Sequence, residues 1–251
     1  MTLQRDVIIG MGEVGSSLSK ILKKEGEPLE GFDIDSKKCF QNSCNSTDQI
    51  YFLHICIPFK QFPEFKKSVL KSIQDYKPKA IVIHSTVSPK TTEKLQSELD
   101  IPVLYSPIRG VHARMVDDMK RYTKFYSIEK KFSNEDVEKT FEQRMNKAGV
   151  TTKKLSTPVT LELAKILTDT SYYGWLIAYA QKTKMIADTF GVDFDEMWSF
   201  SDEIQKFLQN RPKMYAGMIG GHCILPNLDL IGDDTLLLIK EINKEFSEGQ
   251  K

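Results

Sequence analysis

A glycine-rich turn near the start of the chain constrains its fold more than any other sequence feature. Residues 10–15 read GMGEVG, directly after a short β-branched run at 6–9 and before apolar residues at helical spacing from Leu18 onward. A strand that turns this sharply into a helix brings backbone against backbone, which glycine permits because it has no Cβ. The sequence therefore predicts a strand–turn–helix unit at the start of an α/β sheet.

The same turn is typical of a site for a dinucleotide. Its first glycine allows the tight turn, the second lets the backbone approach a diphosphate, and the third lets the helix pack close to the strand. The helix N-terminus then directs N–H groups and the positive end of its dipole towards the phosphates. The residues expected to contact the cofactor here are Gly10, Met11, Gly12, Glu13, Val14 and Gly15.

An acid at the end of the second predicted strand indicates which dinucleotide binds. Asp33 lies 18 residues after Gly15. A carboxylate at this place accepts hydrogen bonds from the hydroxyls of the adenine ribose and repels a 2′-phosphate, so we expect NAD rather than NADP. The alternative is a tight turn without a ligand, with Asp33 as a surface acid.

Strand and helix patterns alternate over the first 155 residues. Short apolar runs predict further strands at 29–34, 50–58, 80–84, 103–105 and 123–128. Helical spacing is found at 62–76 and 90–99. Strands that are apolar on both faces and alternate with helices indicate a parallel sheet covered on both sides. We therefore predict an α/β Rossmann domain, with a doubly wound parallel sheet, over 1–155.

The second part of the chain, 156–251, predicts an all-α domain. Helical spacing runs over 160–191 with no proline and one internal glycine, Gly174. A helix of about 30 residues is about 45 Å long, which is typical of a long central helix that packs against a second subunit. We expect a homodimer through this helix, and shorter helices at 193–210 and 233–246.

Composition narrows the class of protein. Of 251 residues, 40% are hydrophobic and 27% are charged, and the formal net charge is +1. Nucleic-acid-binding proteins normally carry a basic excess, so we expect no nucleic acid partner. Four cysteines at irregular spacing, without a CxxC pair, predict no metal site. Without a membrane-length apolar run or a signal peptide, the sequence predicts a soluble, cytoplasmic protein.

A second glycine-rich motif, GGHC at 220–223, carries the strongest chemical signal of the C-terminal part. Two glycines permit a backbone that exposes the thiol of Cys223, and a thiolate stabilised by a nearby cation can attack an aldehyde carbon. Lys165 and Asp169, one helical turn apart on the same face, can supply a cation and a carboxylate. The alternatives are a buried, inert cysteine and a surface ion pair.

Together these segments resemble the UDP-glucose/GDP-mannose 6-dehydrogenase family over nearly the whole chain. The motifs are VIIGMGEVG at 7–15, GFDID at 31–35, the apolar strand ending at Pro58, HSTVSP at 84–89, YSP at 105–107, ELAKILTDT at 162–170 and GGHCILP at 220–226. The GGHC string is similar to that of the branch that oxidises N-acetylated UDP-sugars. The resemblance implies NAD as cofactor and a helical domain like that of 6-phosphogluconate dehydrogenase.

The resemblance also implies a chemistry, in which a primary alcohol is oxidised twice to a carboxylate at the expense of two NAD. Family members hold the intermediate aldehyde on a cysteine as a thiohemiacetal, which becomes a thioester that water hydrolyses. By position, Cys223 is the nucleophile, Lys165 stabilises the oxyanion, and Thr86 lies near the nicotinamide and the bound water. Pro58 and Ser85 join the cofactor site. The implied substrate-binding residues are Arg109, Gly220, Gly221 and His222.

The chain departs from the family at catalytic positions. The family has Asn four residues after the lysine and Asp four residues after the cysteine, whereas this chain has Asp169 and Asn227. Because the two side chains are exchanged, we expect both to converge on Cys223. His112 stands where the family has a second glutamate, and its usual pKa of about 6.5 suits proton transfer. A surface or phosphate-binding role for His112 is the alternative.

Other departures concern the substrate. Ile108 replaces a glutamate, and Met218 and Ile219 replace more open residues before GGHC. Arg109 and Arg114 can hold an anionic substrate group or lie on the surface. The sequence ends about where the third, UDP-binding domain of the family would begin, so we expect that domain to be lacking.

Three interpretations stay open at this stage. The first is an NAD-dependent dehydrogenase that oxidises a primary alcohol, such as that of a nucleotide sugar, through Cys223. The second is a two-electron hydroxyacid or prephenate-type dehydrogenase or reductase, in which Lys165 and His112 do acid–base work without the cysteine. The third is a catalytically silent NAD-binding subunit, which the exchanged Asn/Asp pair and the missing glutamates favour.

Overall fold

The computed structural model describes residues 4–24, 28–41, 49–221 and 223–249, and for Lys24, Gln41 and His112 it describes the backbone alone. The chain forms two compact units, Met1–Leu163 and Ala164–Lys251, called unit 1 and unit 2 below. Unit 1 is built around a β-sheet and unit 2 is helical.

The sheet of unit 1 contains every strand that the sequence predicts. Within the described residues its strands are β1 (Gln4–Ile9), β2 (Leu29–Phe32), β3 (Phe40–Gln41), β4 (Gln49–Ile55), β5 (Ala80–Ile83), β6 (Val103–Tyr105), β7 (Lys124–Ile128) and β8 (Thr152–Lys154). Their order across the sheet is β3-β2-β1-β4-β5-β6-β7-β8. The short strands β3 and β8 have no apolar run in the sequence, and the pattern did not predict them.

Five neighbouring strands, β2, β1, β4, β5 and β6, run parallel, which confirms the predicted Rossmann arrangement. Two pairs are antiparallel, β2 with β3 and β6 with β7. β3 follows β2 after a single short turn, and a connection of this length can join only antiparallel strands. An apolar run marks a strand as buried but does not fix its direction.

Helices cover both faces of the sheet. In unit 1 they are α1 (Glu13–Lys24), α2 (Phe62–Tyr76), α3 (Thr91–Gln96), α4 (Met115–Arg121), α5 (Glu135–Lys147) and most of α6 (Pro158–Ala164). Two apolar clusters lie on opposite faces, and adjacent residues such as Phe52 and Leu53 belong to different clusters. This follows from the alternation of side chains along a strand.

The long helix predicted over 160–191 is helical throughout but not uniform. It consists of α6, a π-helical segment (Lys165–Ser171) and α7 (Tyr172–Phe190), which ends at Gly191 with φ +66°. The other helices described in unit 2 are α8 (Phe194–Leu208), α9 (Leu225–Leu228) and α10 (Asp234–Glu248). A π-helical stretch leaves no mark on apolar spacing, so the sequence did not predict it.

The two units divide after Leu163, within the long helix, whereas the sequence places the boundary after residue 155. The first turn of the helix belongs to unit 1 because Leu161 packs into a core cluster of the sheet and Glu162 bonds to Thr92. None of the described helices combines the length and the apolar character that a membrane crossing needs.

Candidate functional site

The turn after β1 has two glycines that the fold itself requires. Gly10 has φ +92°, and a Cβ there would lie 2.8 Å from the carbonyl oxygen of Cys56. A Cβ on Gly15 would lie 1.9 Å from the carbonyl oxygen of Gly10. Neither position can accept a side chain without displacing backbone, so these glycines are explained by packing alone.

Gly12 is different, because among the described residues no atom outside its two chain neighbours lies within 4 Å of a Cβ built on it. Its φ is also outside the left-handed region, so neither sterics nor strain explains glycine here. α1 begins at the next residue, Glu13. The missing side chain leaves open the space in front of the helix N-terminus, where a diphosphate would meet backbone N–H groups.

Backbone N–H groups hold the Asp33 carboxylate against this turn. Its Oδ1 accepts a hydrogen bond from the N–H of Asp35 at 3.0 Å, and its Oδ2 accepts one from the N–H of Met11 at 2.6 Å. The bond from Asp35, followed by that from Met11, holds the pKa of Asp33 below its usual value. The carboxylate is therefore ionised at neutral pH and can accept hydrogen bonds from ribose hydroxyls.

These groups fit an NAD molecule. Gly12 provides space for a diphosphate, α1 provides the positive end of a helix dipole, and Asp33 provides a ribose acceptor. Met11 is buried and donates its N–H to Asp33, and Val14 is partly buried, so neither offers its side chain fully to a ligand.

Two further loops meet at the same edge of the sheet. Pro58 follows β4 and is exposed, and Ser85 and Thr86 follow β5 and are partly buried. The hydroxyl of Ser85 donates to the carbonyl oxygen of Ile57 at 2.5 Å, which ties the two loops together. The carboxyl edge of parallel strands is where open α/β sheets bind ligands.

Glu162 holds the other end of the Ser85–Thr86 loop, and sequence reasoning gave it no role. Its carboxylate is fully buried and accepts hydrogen bonds from the N–H of Lys90 at 2.6 Å, the N–H of Thr92 at 2.9 Å and the hydroxyl of Thr92 at 2.7 Å. In the sequence it is one acid in a helical segment, and helical spacing does not distinguish a buried acid from an exposed one.

A chain of buried ionisable side chains crosses the sheet of unit 1, and we call it the ionic seam. Its members are Arg144 on α5, Asp6 on β1, His54 on β4, His84 after β5 and Lys124 on β7. Arg144 forms an ion pair with Asp6. The next contacts are His54 Nε2 to Asp6 Oδ2 at 3.5 Å, His54 Nδ1 to His84 Nε2 at 2.9 Å, and Lys124 Nζ to His84 Nδ1 at 3.3 Å.

The ionic seam shifts the titration of its members. Burial alone would raise the pKa of Asp6, but the hydrogen bond from His54 and the charge of Arg144 bring it below its usual value. Burial, with the charge of Lys124, lowers the pKa of His84 well below its usual value. Asp6 is therefore a carboxylate and His84 a neutral imidazole at neutral pH. No motif in the sequence indicates a role for these residues.

In unit 2, Lys165 and Asp169 form an ion pair inside the π-helical segment. The Lys165 side chain is 12% exposed and that of Asp169 is 43% exposed, so the pair is not the fully solvated contact of an ordinary surface helix. Single-turn π-helical stretches occur frequently at functional sites. The pairing agrees with the spacing of these residues, whereas the distorted helix around them was not anticipated.

Cys223 lies in unit 2 at the end of an irregular loop and is exposed. Gly220 and Gly221 before it meet no described atom within 4 Å of their Cβ positions, and Gly221 has φ +74°. Asn227 donates its side-chain N–H to the carbonyl oxygen of Cys223. Because α9, which contains Asn227, packs against the π-helical segment, the Cys223–Asn227 pair and the Lys165–Asp169 pair lie in adjacent elements.

The remaining predicted site residues have individual environments. The guanidinium of Arg109 packs 5.1 Å from the ring centre of Phe125 and donates to the carbonyl oxygen of Thr123 at 2.6 Å. Arg114 donates to the buried carboxylate of Asp118 at 3.0 Å. Both arginines therefore already have partners in the fold. His112 is in a short turn of 3₁₀-helix, and His222 is outside the described residues.

No family model matches the chain, and no curated protein matches it in sequence. Solved structures do match it. UDP-D-ManNAc dehydrogenase of Pyrococcus horikoshii is 16% identical, with a TM-score of 0.77 over 96% of this chain and 68% of that chain. UDP-N-acetyl-mannosamine dehydrogenase of Staphylococcus aureus is 17% identical, with a TM-score of 0.72 over the same shares of 96% and 68%.

A third structure has a shorter chain. The 3-hydroxyisobutyrate dehydrogenase of Mycobacterium tuberculosis is 12% identical, with a TM-score of 0.65 over 99% of this chain and 94% of that chain. At such identities the likeness establishes the fold. It confirms the predicted fold class, a Rossmann sheet followed by a helical region.

Proposed function

We propose that the chain is an NAD-dependent oxidoreductase that acts on a CH–OH group. The observation that carries this proposal is the open space at Gly12 beside the ionised carboxylate of Asp33. Packing explains Gly10 and Gly15, whereas the open space at Gly12 lies directly before the N-terminus of α1 and suits a diphosphate. The neighbours in fold, which are dehydrogenases of UDP-sugars and of 3-hydroxyisobutyrate, support the same conclusion.

The cofactor is tested by paired glycine variants. Gly12→Ala is expected to keep the wild-type unfolding temperature and to lower the affinity for NAD at least tenfold, because its methyl group enters the space of the diphosphate. Gly15→Ala, in contrast, is expected to unfold at a lower temperature, since its methyl group meets backbone. Asp33→Ala should weaken NAD binding in calorimetric titration. Unchanged NAD affinity in both Gly12→Ala and Asp33→Ala would refute the proposal.

The proposed substrate is a primary alcohol that is oxidised in two steps through Cys223. When NAD is bound, it accepts a hydride in each step. The thiolate of Cys223 adds to the carbonyl carbon of the aldehyde from the first step, giving a thiohemiacetal. Loss of a second hydride makes a thioester, and water hydrolyses it to the carboxylate and the free thiol. The exposed thiol and its preceding open glycines support this role.

The ammonium group of Lys165 is assigned to stabilise the oxyanion of the thiohemiacetal. Asp169 holds that ammonium group through its ion pair, and Asn227 holds the backbone of Cys223. The exchange of Asp and Asn relative to the related family thus leaves one carboxylate and one amide in adjacent elements. Their convergence on the substrate is part of the proposal.

Turnover tests the chemistry. Purified protein with NAD is assayed for NADH formation on UDP- and GDP-sugars, sugar phosphates and small hydroxy acids, beside Cys223→Ala. We expect turnover of a nucleotide sugar with two NADH per substrate, and its loss in Cys223→Ala. Equal rates in wild type and Cys223→Ala would reject the cysteine mechanism while leaving NAD-dependent oxidation intact.

A two-electron hydroxyacid dehydrogenase is the second candidate. The observations that favour it are the likeness in fold to 3-hydroxyisobutyrate dehydrogenase, with a TM-score of 0.65, and the ion pair of Lys165 with Asp169, which can serve a reaction that needs no cysteine. Lys165 would then act as the acid–base group. Turnover of a small hydroxy acid that survives Cys223→Ala identifies this candidate. NAD binding without turnover on any substrate identifies the catalytically silent subunit.

A homodimer through the long helix completes the proposal. Tyr172, Tyr179 and Ile186 are exposed and follow one another at intervals of seven residues, which places them on one face of α7. A row of apolar side chains of this size indicates an interface. Light scattering should find a dimer for wild type and for the control Phe207→Glu on α8, and a monomer for Tyr179→Glu. A wild-type monomer would contradict this part.

A further inference from the structure

Two buried amides in unit 2 hold the loop that precedes Cys223. Gln181 on α7 is fully buried, and Asn243 on α10 is 6% exposed. The side-chain N–H of Gln181 donates to the Oδ1 of Asn243 at 2.8 Å. Amides buried in an apolar core cost free energy unless they are hydrogen-bonded, so a pair like this needs a structural or functional reason.

Both amides bond to the backbone of the same loop. Asn243 accepts the N–H of Ile219 at 2.8 Å and donates to the carbonyl oxygen of Ile219 at 3.1 Å. Gln181 donates to the carbonyl oxygen of Gly217 at 2.8 Å. The side chain of Asn243 thus binds both polar backbone groups of a residue that is itself buried in the core of unit 2. We call Gln181 and Asn243 the loop clamp.

The loop clamp lies on one side of Cys223, and a second anchor lies on the other. Gly220 and Gly221 separate Ile219 from the cysteine region and have no packing of their own at Cβ. After the cysteine, Ile224 packs so closely on α7 that a Cβ on Gly174 would be 2.8 Å from it. The exposed thiol is therefore carried by a short glycine-containing segment that is fixed at both ends.

We propose that Gln181 and Asn243 are positioning residues for the thiol of Cys223. They act through the backbone of Gly217 and Ile219 and touch neither substrate nor cofactor. This inference rests on the proposed role of Cys223 as nucleophile. Without the clamp, the two glycines would let the segment sample many conformations, and the thiol would leave the surroundings that keep it reactive.

The alkylation rate of Cys223 tests the positioning directly. Wild type and Asn243→Leu are treated with iodoacetamide over a range of pH, and modification of each cysteine peptide is followed by mass spectrometry. We expect the Cys223 rate at pH 7 to fall at least fivefold in Asn243→Leu, with half-maximal alkylation moved to higher pH. Exposed Cys39, in unit 1, should react at the same rate in both proteins.

Two further variants separate positioning from simple stabilisation of the helices. Glu245→Gln removes the exposed ion pair with Lys182, which joins the same helices α7 and α10 at 2.9 Å without contact to the loop. It should leave the Cys223 rate unchanged. Gln181→Leu removes the bond to Gly217 but keeps the two bonds between Asn243 and Ile219, so we expect the Cys223 alkylation rate to fall about twofold. This milder variant is expected to fold, and it takes the place of Asn243→Leu in the test when that variant does not fold.

An unchanged Cys223 rate in folded Asn243→Leu, or in Gln181→Leu where the first variant does not fold, would overturn the inference. So would an equal effect of Glu245→Gln. The experiment needs no substrate and no cofactor, so it gives an answer even when the turnover panel is silent. Failure of the loop clamp and failure of the proposed function are therefore distinguishable.

Discussion

Unit 1 and unit 2 bury polar side chains by different chemical means. The ionic seam, which crosses the sheet of unit 1, combines three charged groups and two imidazoles. The loop clamp of unit 2 consists of two uncharged amides. Charged groups in a core need partners of opposite charge, whereas amides need only hydrogen bonds. The seam should therefore respond to loss of a charge and to pH, and the clamp to loss of hydrogen bonds alone.

The largest expected effect comes from removal of the charge of Asp6. Asp6→Asn keeps the shape and an acceptor for the N–H of Phe52, but it leaves the buried guanidinium of Arg144 without its ion-pair partner. We expect the free energy of unfolding to fall by about 3–5 kcal/mol, because a single buried charge is costly. Urea denaturation followed by circular dichroism measures it. A loss below about 1 kcal/mol would mean that the seam is solvated.

A smaller loss is expected when the loop clamp is broken. Asn243→Leu keeps the side-chain volume and deletes three hydrogen bonds, so the backbone N–H and carbonyl of Ile219 lose their partner and Gln181 keeps only its bond to Gly217. The free energy of unfolding should fall by about 2–4 kcal/mol, and the loss should be the same at pH 5 and pH 8, because no charge is involved. A loss that differs between pH 5 and pH 8 would contradict the view that the loop clamp, unlike the ionic seam, acts through hydrogen bonds alone.

Acid should affect the seam through His84. Its pKa is held well below the usual 6.5, so the unfolded chain takes up a proton below this pH and the folded chain does not. The stability that neutral His84 contributes is therefore complete above pH 6.5 and is lost as the pH falls below it. The pKa of Asp6 is also lowered, so Asp6 adds a further loss of stability below its usual pKa of 3.8. Replacement by His84→Asn should flatten the slope between pH 6.5 and 5 by up to about 1.4 kcal/mol per pH unit. An unchanged slope would contradict the lowered pKa.

The smallest effect is expected from an ion pair at the surface of unit 1. Lys66 and Glu98 are 3.0 Å apart, with side chains 32% and 43% exposed. Glu98→Gln should change the free energy of unfolding by less than about 0.5 kcal/mol, because solvent and salt screen the pair. A change similar to that of Asp6→Asn would show that burial does not set the cost of losing a charge.

Much of the fold could be predicted from the sequence because the spacing of apolar residues indicates which segments are strands or helices and which of their faces are buried. The parallel strands are apolar on both faces, and the glycines at 10 and 15 are required by backbone contacts that any such turn makes. Strand direction at the edge, the π-helical segment and the exact division into units depend on contacts between distant residues. The spacing of apolar residues along the chain does not predict such contacts.

The candidate site was predictable only where a sequence motif fixes the position of a residue in the fold. Gly12 and Asp33 fall in that group, since a motif places them on a turn and at a strand end. Asn243, Gln181 and Glu162 do not, because a polar residue in an amphipathic helix is usually exposed. They are seen to be buried only when the helices pack together, so sequence reasoning gave them no role.

The two imidazoles of the ionic seam give the sheet a hydrogen-bond chain with a direction. In one arrangement His54 donates from Nε2 to Asp6, and His84 donates from Nε2 to His54. In the other arrangement His54 donates from Nδ1 to His84, and His84 donates from Nδ1 to the carbonyl oxygen of Ser106, 2.8 Å away. Both contain the same number of protons. Reversal of the chain thus moves charge density across four strands, β1, β4, β5 and β6, without moving a heavy atom. The ¹⁵N chemical shifts of the two rings report its direction.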